Sequence, residues 1–209
     1  MITDDITALF SDEELAKHIE EANSGGGYEY WKAARYFVTE AIHKDGTFLD
    51  VGCANGFLMK CLLSWSNNSI TPYGVDNRAE VIEKAKLLFP EITNNFVHLD
   101  GDNLKDLETK KMPLSYDFVY RNYWKLDTDE KYTKEQILTL LDHTKEGGRS
   151  IIGMYWPNMH PINSMEHQRS DEKCTKFRDF LISCAPRVDG QAFSETGHQW
   201  LMWIDKSSS

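Results

Sequence analysis

The stretch Asp50-Val51-Gly52-Cys53-Ala54-Asn55-Gly56 sets a carboxylate and two glycines directly ahead of the apolar run FLMKCLLSW. Gly52 and Gly56 allow a tight turn and leave the backbone bare toward a ligand. A helix starting just after them would aim its free N–H groups at the same place. Two further acidic points follow, Asp76 in YGVDNR and the turn Asp100-Gly101-Asp102-Asn103. A carboxylate can accept two hydrogen bonds at once, each strengthened by its charge. Each aspartate also suits a duller role as a turn residue or helix cap, and Asn77-x-x-Glu80 has the form of a cap.

The elements that must position these residues alternate. TFLDV (47–51) is short and rich in strand formers, 57–65 suits a helix, 70–75 a strand, 77–89 a helix stopped by Pro90. Strands 96–99 and 116–120, helix 130–145 and strand 149–155 continue the series. Helix 170–184 then leads into two strand-like runs, RVDGQAF and HQWLMWID, joined too closely for a parallel crossover. The expectation is an α/β fold: a Rossmann-like, doubly wound, mostly parallel seven-stranded sheet with a C-terminal antiparallel hairpin and N-terminal helices. Of those helices, one starts at the capping box Ser11-x-x-Glu14 and another runs from about Tyr28 to His43, with Gly25, Gly26 and Gly27 as a joint between them. The chain is read as one domain over 1–209, with 1–45 a helical lid and 46–205 the core.

In such a sheet ligands bind beyond the carboxyl ends of the strands, where Asp50, Asp76 and Asp100–Asn103 all fall. The loop is a poor dinucleotide fingerprint, since Ala54 and Phe57 stand where G-x-G-x-x-G requires its second and third glycines. It is not a P-loop either, as no Gly-Lys-Ser/Thr follows.

FLDVGCANG resembles motif I of the class I S-adenosylmethionine-dependent methyltransferases, with Ala54 in place of the middle glycine. Asp76 matches the acid that ends the family's second strand, DGDN its Gly-Asp-Ala turn, and YDFVYRN its fourth strand. The resemblance spans about residues 47–204. It implies S-adenosylmethionine as cofactor and S-adenosylhomocysteine as product. Gly52, Cys53, Ala54 and Gly56 would lie under the methionine and ribose, with Asp50 orienting the loop and the amino group. Asp76, with Asn77 beside it, would take the ribose hydroxyls, and Asp102, with Asn103, the adenine; Asp100 is the alternative to Asp102. Arg121, late in the fourth strand, completes the expected cofactor contacts.

The family's acceptor sites draw on the N-terminal helices and the loops after strands four and five. Those segments hold Tyr28, Trp31, Tyr123, Trp124 and Trp156, an aromatic set suited to a small, partly apolar or cationic acceptor. His160 is the candidate general base. RNYWK lacks the Asn/Asp-Pro-Pro-Tyr/Phe motif of many amino-methylating enzymes on nucleic acids and proteins. The net charge of −10 opposes a phosphate-binding surface, and Lys105, Lys110 and Lys111 alternate with Asp106 and Glu108 as on a solvated loop. A small-molecule acceptor is therefore expected, and nucleic acid disfavoured. An enzyme on protein or RNA, or a cofactor-binding regulator without catalysis, are the alternatives. The four cysteines show no zinc spacing, so no metal is expected. No run approaches the ~20 apolar residues of a membrane span, and the acidic start of the chain lacks a secretory signal, which favours the cytoplasm. Oligomeric state is left open.

Overall fold

A computed structural model describes residues 6–22, 27–123, 129–154, 165–195 and 199–207. Among them, seven strands form one sheet: β1 (Gly46–Val51), β2 (Ile70–Asp76), β3 (Phe96–His98), β4 (Tyr116–Tyr123), β5 (Thr144–Met154), β6 (Gly190–Phe193) and β7 (Trp200–Asp205). Their order is β3-β2-β1-β4-β5-β7-β6. The first five pair in parallel, while β7 runs antiparallel between β5 and β6. The strand order reverses between β1 and β4, which makes their carboxyl ends the topological switch point.

Helices cover both faces. On one lie α1 (Ile6–Leu9), α2 (Asp12–Glu21), α3 (Tyr28–Ala33), α4 (Phe57–Trp65) and α5 (Ala79–Leu88), sharing a core with Phe48, Phe118 and Ile151 of the sheet. On the other, α6 (Glu130–Asp142) and α7 (Met165–Cys184) pack with Leu49, Val119 and Ile152. Adjacent strand residues such as Phe48 and Leu49 thus enter opposite cores, as a sheet buried on both faces requires.

The expected capping box is present: the Ser11 hydroxyl and the Glu14 carboxylate each satisfy the other's backbone N–H. Two expectations need correction. The helix from Tyr28 to His43 is broken, with α3 ending at Ala33 and a 3-10 segment following over Tyr36–Ala41. The run Tyr36-Phe37-Val38-Thr39 is aromatic and β-branched, poor for a helix, and the Thr39 hydroxyl bonds the Tyr36 carbonyl at 2.7 Å, competing with the α ladder. Nor does Asn77 cap α5. The helix starts at Ala79, and the Asp76 carboxylate takes the Arg78 N–H instead.

Opposite the switch point, Asp117 closes the other end of the sheet. Its carboxylate accepts from the Thr47 N–H at 2.9 Å and the Thr47 hydroxyl at 2.8 Å, and pairs with Lys145 and Lys44. Burial alone would raise this carboxyl, but the Thr47 N–H and the lysines outweigh it and hold it well below the usual range. A depressed carboxyl stabilises the fold above the ordinary carboxylate range and loses that contribution as pH falls toward its own value. Asp117→Ala is expected to cost about 2 kcal/mol at neutral pH. In urea titrations the gap to the parent should shrink steadily below about pH 4; a gap independent of pH would refute this assignment.

Candidate functional site

A cavity of about 690 Å³ opens at the switch point, within the roughly 300–1,000 Å³ of small-molecule sites. Its floor is the turn that follows β1. Gly52 has φ +92° and Gly56 φ +76°, the left-handed backbone that glycine adopts freely. Ala54, between them, also has a positive φ of 48°. That is the position where the motif favours glycine, and a Cβ there carries a cost of roughly 1–2 kcal/mol. Its N–H donates to the Asp76 carboxylate at 2.9 Å, so Asp76 holds the strained turn in place. Asn55, buried at 1% exposure, closes the loop on both sides. Its oxygen accepts the Phe57 N–H at the start of α4, and its amide donates to the His18 carbonyl of α2 at 2.9 Å.

Asp50 reaches the cavity from the end of β1. It is 3% exposed and its carboxyl has no hydrogen-bond partner among the described residues. Burial, and secondarily the charge of Asp76, pushes it up to about 8. Asp76, 5% exposed, also binds the Arg78 guanidinium at 3.0 Å. Cys53 lines the cavity, and burial pushes its thiol pKa well up, away from the thiolate form.

Asp50, Gly52, Cys53, Ala54, Asp76, Asn77 and Arg121 are all brought to this cavity. Gly56, Asp102 and Asn103 are not. Gly56 instead precedes α4 as its cap position, and Asn103 is exposed, its N–H on the Asp100 carbonyl. The Asp102 carboxylate is taken up by Arg121 at 2.9 Å, by Gln136 at 2.8 Å and by the Tyr132 hydroxyl. Burial would raise its pKa, but these donors lower it on balance. Asp100 and Gly101 line the cavity in its stead.

The aromatic acceptor wall is not formed as expected. Tyr28 is buried with its hydroxyl accepting from Trp65 Nε1 at 3.1 Å. Trp31, 2% exposed, lies between Phe57 and the Arg35 guanidinium, which sits 3.6 Å from its ring centre. Tyr123 joins the opposite core, under the Arg121 guanidinium. All three are packing residues because their rings fill the layers between helix and sheet. Trp124, Trp156 and His160 lie outside the described residues, as do Gly25 and Gly26. Instead of Tyr28, Trp31 and Tyr123, the cavity presents Arg35, Phe37, Tyr120, Asn122 and Gln199. Tyr120 and Asn122 follow Phe118 at a spacing of two and so share its face of the sheet, a signal already present in YDFVYRN. Nothing in the sequence marked Gln199.

Residues 42–202 match the family described as "Methyltransferase domain". No curated protein matches the sequence. Solved structures with the same fold include a putative S-adenosyl-L-methionine-dependent methyltransferase from Methanococcus maripaludis. It is 15% identical, with TM-score 0.57, over 95% of this chain and 94% of that one. The mitomycin 7-O-methyltransferase MmcR is 14% identical, with TM-score 0.59, over 97% of this chain and 62% of that one. The ribosomal protein L11 methylase from Lactobacillus delbrueckii subsp. bulgaricus is 15% identical, with TM-score 0.53, over 88% and 81% respectively. With its motif I loop, its strand order and the extent of the family match, this chain belongs to the class I S-adenosylmethionine-dependent methyltransferases.

Proposed function

We propose that the chain methylates a small-molecule acceptor by in-line transfer from S-adenosylmethionine bound in the switch-point cavity. The observation that supports this best is Asp50: a buried carboxyl with no partner among the described residues, facing a cavity. Such a group is costly unless a ligand satisfies it, and the amino group of the cofactor's methionine end is suited to do so. Asp76 would take the ribose hydroxyls. Asp100 and the Gly101 backbone are the better placed for the adenine, since the Asp102 carboxylate already has three donors. The cofactor supplies the electrophilic methyl and its own leaving group. The protein's share is alignment and exclusion of water.

The small-molecule reading rests on the net charge of −10 and on a cavity of drug-like size. Its test is methyl transfer from labelled S-adenosylmethionine to a metabolite panel, set against RNA and protein extracts. Transfer confined to the macromolecular fractions would refute it, and binding without any transfer would favour a regulator.

Asp50 makes the cofactor's binding pH-dependent. An ammonium placed against a protonated carboxyl favours its ionisation, so S-adenosylhomocysteine should expel up to one proton per site. Affinity then rises from about pH 6 to about pH 8 and levels above. Calorimetry in buffers of different ionisation enthalpy measures the proton directly. Asp50→Asn should abolish both the release and the pH slope; an unchanged slope would exclude Asp50 as the source.

The Asn55 bond to the His18 carbonyl ties α2 to the cofactor loop. The N-terminal segment is accordingly a lid, and amide exchange across residues 12–22 should slow when S-adenosylhomocysteine binds. Exchange indifferent to cofactor would remove the lid from the account.

A further inference from the structure

Three polar side chains at the edge of the cavity have no role in holding the cofactor loops. Tyr120 and Asn122 project from the end of β4, and Gln199 stands just ahead of β7. Tyr120 is 5% and Gln199 6% exposed. Among the described residues, none of the three side chains has a hydrogen-bond partner. Tyr120 and Gln199 are buried and Asn122 is half-buried, all three on the cavity lining, so a ligand in the cavity can pair with polar groups that none of the described residues takes up.

Tyr120 and Asn122 meet over Gly153, and Gln199 lines the same cavity two residues ahead of Leu201. In the parallel register Asn122 pairs with Gly153, which in turn pairs with Leu201. A Cβ at residue 153 would lie 2.7 Å from Asn122 Oδ1 and 3.1 Å from the Tyr120 hydroxyl. The missing side chain is therefore the space in which these two polar ends stand. Two charged groups lie near Tyr120 on the cavity wall: Asp50, its register partner on β1, which the cofactor's amino group is proposed to take up, and Arg35, a cation that disfavours a second cation there.

We infer that Tyr120, Asn122 and Gln199 form the acceptor subsite. It selects an uncharged molecule with a hydrogen-bonding edge that both donates and accepts, such as an amide, a lactam or a phenol. Two carboxamides and a hydroxyl each offer a donor and an acceptor, and a site built this way rejects analogues that leave its groups unpaired. This inference rests on the cavity being the methyl-transfer site, and it replaces the apolar or cationic acceptor that the aromatic residues had suggested.

The test uses four probes on one ring: benzamide, phenol, benzoate and benzylammonium. Each is titrated into the S-adenosylhomocysteine-saturated protein and followed by ligand-observed NMR. Benzamide and phenol should bind at least about tenfold tighter than the two charged probes. Gly153→Ala should lose benzamide about tenfold while its S-adenosylhomocysteine affinity, which reports folding and the donor site, stays at the parent value. Gln199→Glu should invert the preference toward benzylammonium. The subsite is overturned if a charged probe binds the parent as well as benzamide does. It is equally overturned if Gly153→Ala retains benzamide, or if no probe binds the cofactor-loaded protein. Failure of the parent to bind S-adenosylhomocysteine would instead remove the methyltransferase reading on which the inference stands.

Discussion

Asp76→Ala is expected to weaken S-adenosylhomocysteine binding about 100-fold or more by calorimetry. Two charge-assisted hydrogen bonds to the ribose, each contributing about 1.5–3 kcal/mol, account for most of that loss. The rest comes from the loop: Asp76 also fixes the Ala54 N–H, and Ala54 holds a positive φ that an alanine leaves readily. Asp76→Asn, which keeps the shape and one acceptor, should fall between the two. Arg78 provides the control. Its guanidinium sits on the same carboxylate, so a bound ribose has to share or displace it. Arg78→Ala should therefore bind within about threefold of the parent, or tighter. A parent-like affinity for Asp76→Ala would show that the ribose lies elsewhere.

Phe57→Ala is expected to destabilise the fold by about 3–5 kcal/mol in denaturant titrations, the range for truncating a buried phenylalanine. The ring is fully buried. It stacks on His18 at 5.2 Å, meets Phe10 edge-on at 6.2 Å and touches Trp31 at 5.5 Å. One side chain at the first turn of α4 thus joins α2, α3 and Phe10, the residue just after α1, to the loop that follows β1. The loss should come with faster amide exchange across residues 12–22, because α2 loses its stacking partner while keeping the Asn55 bond. A cost near 1 kcal/mol would mean that the N-terminal helices do not depend on this contact.

The order of elements was readable because strands and helices alternate with strong periodicity, and because a hairpin this short can only be antiparallel. Part of the cavity lining was readable for a related reason. Asp50, Gly52 and Asp76 stand at strand ends and in the turn after β1, and such positions leave a local mark in the sequence. Where the reading went astray, the deciding contacts were made at long range. Asp102 has the local setting of a ligand contact, yet Tyr132 and Gln136 reach it from α6, some thirty residues on. Asn77 has the spacing of a cap, but α5 starts at Ala79 with no side-chain cap, and the Asp76 carboxylate takes the Arg78 N–H. Trp31 and Tyr28 carry the residue types of an aromatic cage but are consumed by packing against α4. The polar group formed by Tyr120, Asn122 and Gln199 exists only because β4 and β7 meet across β5, and no local pattern records that.

The most direct test of the account is a crystal structure of the chain with S-adenosylhomocysteine. It should place the ribose hydroxyls on Asp76, the adenine against Asp100 and Gly101, and the methionine amino group on Asp50, with the sulfur facing Tyr120 and Asn122. A cofactor found outside this cavity, or lying in it with the amino group away from Asp50, would contradict the account.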